Sequence, residues 1–334
     1  IIWLVAAYDQ VGLRENARAE FHELLAARNK PTHALLIALH QASSHLQDLQ
    51  SDPQIGRSLG DLLEKSRQLN ERVLSVRRIL RRHAQSIPMP AASLMVRAFG
   101  RAEVSFNGRV ITMSDWRTQS VRDLFFYFLY EKNAVTKEQV GAALWPETEA
   151  PQMLKARFKN EIYRLRRAVG RDVIVFDEEH YRLNSALDYE YDVEAFDSHL
   201  RRARKARDMT ERINWYQKAV DLVHGTYMAD VDAPWAASER ERLGQIHASA
   251  LEELAHLYLN ASQLDRCLST CQIALAQNPY NEVIYQFEMR VYAALGDRAA
   301  IVRCYQACKS VLDEGLGLSP SQETELLYRE LVNP

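Results

Sequence analysis

The densest run of side chains able to do chemistry spans residues 151–171, where Lys155, Arg157, Lys159, Arg164, Arg166, Arg167 and Arg171 are opposed only by Glu161. That surplus of positive charge sits in a chain whose formal net charge is −2, so the basicity is local. Placed at ~100° per residue on a helix, Phe158, Ile162, Leu165 and Val169 form one narrow apolar stripe. Ala156, Lys159, Asn160, Tyr163 and Arg167 point the opposite way. Lys155 and Arg166 flank one side, with Arg157 and Arg164 on the other. A helix of this kind fits a DNA major groove, where Lys donates to guanine, Asn bonds adenine bidentately and flanking Arg groups neutralise phosphates. A basic helix can also be no more than a solvated face, so its neighbours matter.

Those neighbours have a recognisable order. Residues 94–99 and 102–106 are short and β-prone, and Asn107-Gly108 separates the second run from 109–113, a hairpin signal because both turn residues need positive φ. Helical spacing resumes at Val121, Leu124, Phe125, Phe128 and Leu129. Thr136 with Gln139 is a capping box that opens a short helix ending near Trp145-Pro146. Pro151 suits a first helical position and Gly170 a terminator. Strands at 172–176 and 180–183 follow, joined by an acidic turn. Two helices, a basic helix and a two-stranded ribbon make a helix-turn-helix with a wing. On this frame the DNA-facing set is Lys155, Ala156, Lys159, Asn160, Tyr163, Arg164, Arg166 and Arg167, joined by Arg117, Thr118, Arg122 and, in the wing, His180.

The flanking segments read as helical. Residues 1–30 suggest two short helices broken near Gly12, with Tyr8, Gly12, Ala17, Phe21 and Pro31 near the positions of a tetratricopeptide unit; a plain helical hairpin fits equally well. Ile55, Leu59, Leu62, Ser66, Leu69, Val73, Val76 and Leu80 follow a heptad seam. It suits either a helix packed on its own domain or a dimerising, signal-transmitting one, so a homodimer is among the expected partners. Pro88 and Pro90 mark a linker at 88–93. Beyond Asp188, five pairs lie 34 residues apart: Tyr258 and Tyr292, Ser262 and Gly296, Cys267 and Ile301, Cys271 and Tyr305, Ala274 and Cys308. That register is a tetratricopeptide-like array.

Composition narrows the function. With 47% hydrophobic and 26% charged residues and only 12 Gly and 10 Pro in 334, the chain is helix-rich, globular and long enough for two or three domains. No run reaches the ~18 apolar residues of a membrane span, which predicts a cytoplasmic protein without membrane partners. The chain opens without Met inside an apolar helical pattern, so upstream regulatory domains of a longer protein are expected. Cys267-x3-Cys271 and Cys304-x3-Cys308 have a spacing that can share a metal, but three of these cysteines occupy repeat positions that pack small buried residues, and neither metal nor cofactor is expected. His247 and His256 lack a partner at ligand spacing. Phosphate-loop, dinucleotide, nucleophile-elbow and zincin motifs are missing, so an enzyme has no support.

Further motifs carry a family resemblance: Ala-Leu-Trp-Pro at 143–146, Arg-Leu-Arg-Arg-Ala-Val-Gly at 164–170, Tyr-Arg-Leu at 181–183, Asp192 with Phe196, the run 225–235, Glu239-Arg240-Glu241-Arg242-Leu243 and Leu-Gly-Leu-Ser-Pro-Ser at 316–321. Residues 94–185 resemble the winged helix of OmpR-type effector domains. The run through 334 is similar to the Streptomyces antibiotic regulatory protein type, in which a bacterial transcriptional activator domain follows that winged helix. The resemblance implies binding of double-stranded promoter DNA, contact with RNA polymerase, and DNA-facing Arg164, Arg166 and Arg167. Departures are His180, where members usually have Gly, and Lys155-Ala156-Arg157 in place of the commoner Arg-Asn-Ala.

The expected fold is mainly α with a small α+β domain: a helical segment at 1–87, the linker, a winged helix at 94–185 and a tetratricopeptide-like activator domain at 188–334. The alternative function is a helical scaffold whose winged helix binds protein. Deleting residues 188–334 is expected to leave some DNA binding and abolish activation.

Overall fold

Alternating apolar spacings of three and four build the first helices of the computed structural model, which describes residues 2–26, 33–46, 48–83 and 92–333. The chain divides into two compact units. One comprises Ile1–Leu94, Gly170–Asp177 and Tyr181–Tyr189; the other comprises Met95–Val169, Glu178–His180 and Glu190–Pro334.

In the first unit, α1 (Ile2–Gln10) turns at Gly12, whose φ of 77° is left-handed, into α2 (Arg14–Ala26). Helices α3 (His33–Ala42) and α4 (Gly56–His83) follow. Val5, Ala17, Phe21, Leu39, Leu46, Ile55 and Leu59 share one core. Arg18 ties α2 to the approach to α4 by two hydrogen bonds, of 2.9 and 2.7 Å, to the Asp52 carboxylate. The first half of the heptad seam is consumed here. Ile55, Leu59, Leu62 and Ser66 are buried, and Leu69 packs against the same core. The Ser66 hydroxyl donates to the Leu36 carbonyl, which explains a polar residue inside an apolar seam. The side chains of Val73, Val76 and Leu80, and the linker up to residue 91, lie outside the described residues, as does Pro31.

In the winged helix, the sheet order is β3-β2-β1-β6, from β1 (Leu94–Arg97), β2 (Glu103–Phe106), β3 (Arg109–Val110) and β6 (Tyr189–Tyr191). Asn107 and Gly108, at φ 49° and 78°, turn the antiparallel β2–β3 hairpin. Its second strand is shorter than the sequence suggests. Thr112 and Asp115 form a capping box that starts a one-turn helix, α5 (Met113–Trp116), and Asp115 is held down to about 2 by the Thr112 amide and hydroxyl and by Arg109. Then come α6 (Gln119–Tyr130), α7 (Lys137–Leu144), opened by the expected Thr136–Gln139 box, and the basic α8 (Pro151–Val169). Helices α7 and α8 meet at Gly141, where an added Cβ would lie 2.5 Å from a Leu154 methyl. The ribbon is β4 (Ile174–Asp177) and β5 (His180–Leu183), with Phe176 and Tyr181 rings 4.7 Å apart.

The C-terminal region is helical: α9 (Asp192–Lys205), α10 (Met209–Val220), α11 (Pro234–Asn260), α12 (Leu264–Gln277), α13 (Glu282–Ala294), α14 (Arg298–Leu316) and α15 (Gln322–Val332). The 34-residue register is structural. Helices α12 and α14 start at Leu264 and Arg298, and Ser262 and Gly296 take the same left-handed turn, at φ 56° and 73°. All four cysteines are free and buried. Among the described residues, no group of three or more His, Cys, Asp or Glu could hold a metal, and no helix is long and apolar enough to cross a membrane.

The segment between α10 and α11 fastens this region to the winged helix. Phe99 pairs with Tyr227, the Gly100 amide donates to the Thr226 carbonyl at 3.0 Å, and the Met228 amide donates to the Ala98 carbonyl at 2.7 Å. Gly225 permits the approach, since a Cβ there would sit 3.1 Å from the Gly100 Cα. Asp192 accepts the Ala98 and Phe99 amides at 2.8 and 2.9 Å. Trp235 lodges against Tyr127 and Tyr130 of α6, with ring centroids 5.7 and 5.4 Å away. Arg240 clamps the segment by donating to the carbonyls of Tyr227, Met228 and Val231 at 2.7–2.9 Å.

A pH response follows from the same joint. Burial pushes the Asp123 carboxyl up to about 6, against the pull of Arg122. Between about pH 4 and 6 the folded chain therefore holds a proton that the unfolded chain has lost, so this group adds stability as pH falls and withdraws it as pH rises through 6. Asp123→Asn should raise stability at pH 7 by about 1–2 kcal/mol and flatten the slope between pH 4 and 6. Thermal melts across that window check it; an unaltered slope would assign the pH response elsewhere.

Candidate nucleic-acid interface

Helix α8 is amphipathic in the way its sequence indicates. Phe158, Ile162, Leu165 and Val169 are buried, holding the helix on its domain, while Lys155, Ala156, Lys159, Asn160, Tyr163 and Arg167 are exposed. Tyr163 is 60% exposed, and the Arg167 guanidinium lies 5.9 Å from its ring. Lys155 and Lys159 have no carboxylate in ion-pair range among the described residues. Their charge is available to a ligand.

The flanking arginines divide. Arg164 is half-buried and reaches Glu161 at 3.3 Å, so part of its charge is answered within the helix. Arg166 is also half-buried. Arg157 turns inward. It bonds Glu147 at 2.5 Å and Thr148 at 2.9 Å and lies 4.9 Å from the Trp145 ring, while the Trp145 indole donates to Ser120 at 2.8 Å. This knot fixes the turn between α7 and α8.

Three expected residues stand at the start of α6. Arg117 is exposed with φ 72° and ψ −41°, a region that side chains other than Gly seldom adopt. Thr118 is the N-cap, its hydroxyl accepting the Val121 amide at 3.4 Å, so its first role is to start the helix. Arg122 does not belong to the DNA-facing set. Its side chain is buried and donates to Asp230 at 2.6 Å, with Asp123 3.6 Å away, which neutralises the charge inside the protein. Burial raises the Asp230 carboxyl, but the Ala102 amide and Arg122 outweigh it and leave it lowered, so the pair stays ionic.

In the wing, His180 is exposed and its Nδ1 lies 2.7 Å from the Glu178 carbonyl. Glu178 and Glu179 both adopt positive φ, at 45° and 64°, as a tight hairpin turn demands. Two carboxylates at that tip oppose any attraction of the imidazole for phosphate. His247 is buried with Gln277 3.1 Å from its Nδ1, and His256 stacks on Phe287, so both serve packing. Sequence reasoning missed Asp192, Asp230 and Arg240 as holders of the interface's frame, because the partners of the two aspartates lie 93 to 128 residues away and Arg240 grips backbone carbonyls that no side-chain pattern marks. It also missed Arg109, whose only signal was a cation on a hairpin beside the basic helix.

Comparison with known proteins agrees with this architecture. The bacterial transcriptional activator domain family matches residues 191–332. Over 207 residues the chain is 24% identical to the regulatory protein AfsR of Streptomyces coelicolor, covering 61% of this chain and 21% of that protein. It is 23% identical over 258 residues to AfsR of Streptomyces griseus, covering 76% and 26%. The chain thus spans about a quarter of the length of these curated relatives. Among solved structures, Mycobacterium tuberculosis EmbR, in complex with a low-affinity phosphopeptide, superposes with a TM-score of 0.59 at 16% identity, over 72% of this chain and 65% of that one. At that identity the likeness is one of fold.

Proposed function

We propose that this chain is a transcriptional activator of the Streptomyces antibiotic regulatory protein type, that it reads double-stranded promoter DNA through the outward face of α8, and that it acts by binding rather than catalysis. The observation that carries the reading is the presentation of Lys155, Lys159, Asn160, Tyr163 and Arg167 on one exposed face whose lysines have no carboxylate in ion-pair range among the described residues. Lys159 and Asn160 are the base readers, and Arg164, Arg166 and Arg167 supply phosphate neutralisation. The tetratricopeptide-like helices α9 to α15 offer the surface for RNA polymerase or a second copy of the chain.

The test begins with selection of bound genomic fragments, which yields the operator. Changing Lys159 and Asn160 together to Ala should then cut discrimination between operator and random DNA by about 10- to 100-fold, since a good base contact contributes ~1–3 kcal/mol. Equal loss on both DNAs would remove these two side chains as base readers. Absence of any salt-dependent binding to duplex DNA would favour a scaffold that engages protein instead.

A further inference from the structure

A groove of about 640 Å³ opens between the β2–β3 hairpin, α5 and the C-terminal half of α8. Four guanidinium groups line it, those of Arg109, Arg117, Arg164 and Arg167, together with Asn160 and the single carboxylate of Asp115. That carboxylate is already engaged. It accepts from the Thr112 amide and hydroxyl and from Arg109, and Glu161 answers part of the Arg164 charge at 3.3 Å, so the groove's unanswered charge is that of Arg117 and Arg167. Arg117 and Arg167 have no carboxylate partner among the described residues. Like charges converging on one concavity repel each other unless an anion joins them.

Backbone conformation gives a second, independent sign. Arg117 holds its place at φ 72° and ψ −41° as the C-cap of a four-residue helix, where Gly or Asn would be the unstrained choice. Strained residues of this kind concentrate where a side chain is fixed for a ligand. Guanidinium is the side chain best matched to phosphate oxygens, which it can engage in pairs. The groove's size lies within the range of small-molecule sites.

We propose that this groove is a phosphate-binding site, held by Arg109, Arg117, Arg164 and Arg167, that receives either a backbone phosphate of bound DNA or the phosphate of a free small molecule. Because Arg164 and Arg167 belong to α8, a free phosphorylated ligand seated there competes with DNA and acts as a negative effector. Only the DNA arm rests on the function proposed above.

Inorganic pyrophosphate serves as the probe, titrated calorimetrically into the full chain at constant ionic strength, with and without operator DNA. The variant is Arg109→Gln, which removes one guanidinium from the groove and leaves Arg117, Lys159, Asn160 and the rest of the expected DNA-facing set intact. In the wild type, pyrophosphate should bind one to one, and the variant should lose at least tenfold in affinity. A free-ligand source predicts that pyrophosphate displaces operator from the wild type but not from the variant, whose DNA affinity stays within about twofold. A DNA source predicts instead that the variant's slope of log K against log salt is shallower by about one. Pyrophosphate binding that is absent or equal in both proteins, together with an unchanged salt slope, overturns the proposal. A chain that binds pyrophosphate through these arginines yet binds no DNA would sink the DNA-reading function and leave this site standing.

Discussion

A chain comprising residues 92–187 should neither unfold cooperatively nor bind DNA measurably, although it contains every residue of the candidate interface. Ending there removes β6 from the edge of β1, the Asp192 carboxylate that satisfies two amides, and the backbone bonds from Thr226 and Met228 to the segment at 98–100. It also strips Trp235 from Tyr127 and Tyr130 and leaves Arg122 buried without Asp230. Loss of a buried charge partner alone costs about 3–5 kcal/mol, and whole domains are stable by only about 5–15. The sequence alone leads to the expectation that DNA binding survives without residues 188–334; the joint predicts the opposite. Circular dichroism melts and operator binding of 92–187 beside 92–333 decide it; a cooperative melt with retained affinity in the shorter fragment would refute the argument.

Arg122→Met should destabilise the full chain by about 3 kcal/mol, because the partly buried Asp123 and Asp230 would then lose the cation they share, with Arg101, 3.9 Å from Asp230, a weak replacement. The slope of DNA affinity against salt should stay as it was. A residue that touched phosphate would behave the opposite way, with stability intact and a slope shallower by about one. Chemical denaturation and salt-dependent binding on the same protein separate the two. A shallower slope with wild-type stability would return Arg122 to the DNA surface.

What was legible in the sequence was local. The stripe of α8, the Thr136–Gln139 box, the Asn107-Gly108 turn and the 34-residue register each depend on residues within a few turns or one repeat of one another, where helical and strand periods dictate who faces whom. Arg122 was illegible because its partner lies 108 residues onward. A warning did exist: α6 buries Leu124, Phe125, Phe126, Tyr127, Phe128 and Leu129 in succession, and a helix apolar on every side is enclosed, so a cation within it must find an internal counter-ion. Helix α5 was absorbed into a strand because two β-prone residues precede its cap, although Thr112 and Asp115 spell the box. The seam from Ile55 showed its period but not its recipient, and Ser66 needed the Leu36 carbonyl in view before it made sense.

The joint at Asp230 also bears on how the chain is made. Ala102 and Asp230 bond across 128 residues, which at ~5–20 residues per second is roughly 6–25 s of translation. For most of that interval the aromatic run at 125–128 has been synthesised while Trp235 and Asp230 do not yet exist. The nascent winged helix must wait, adhesive and unfinished, for its own C-terminal neighbour. Chaperone occupancy should peak on ribosomes that have passed α8 and fall once α11 emerges, so the speed of synthesis between those helices becomes a determinant of yield.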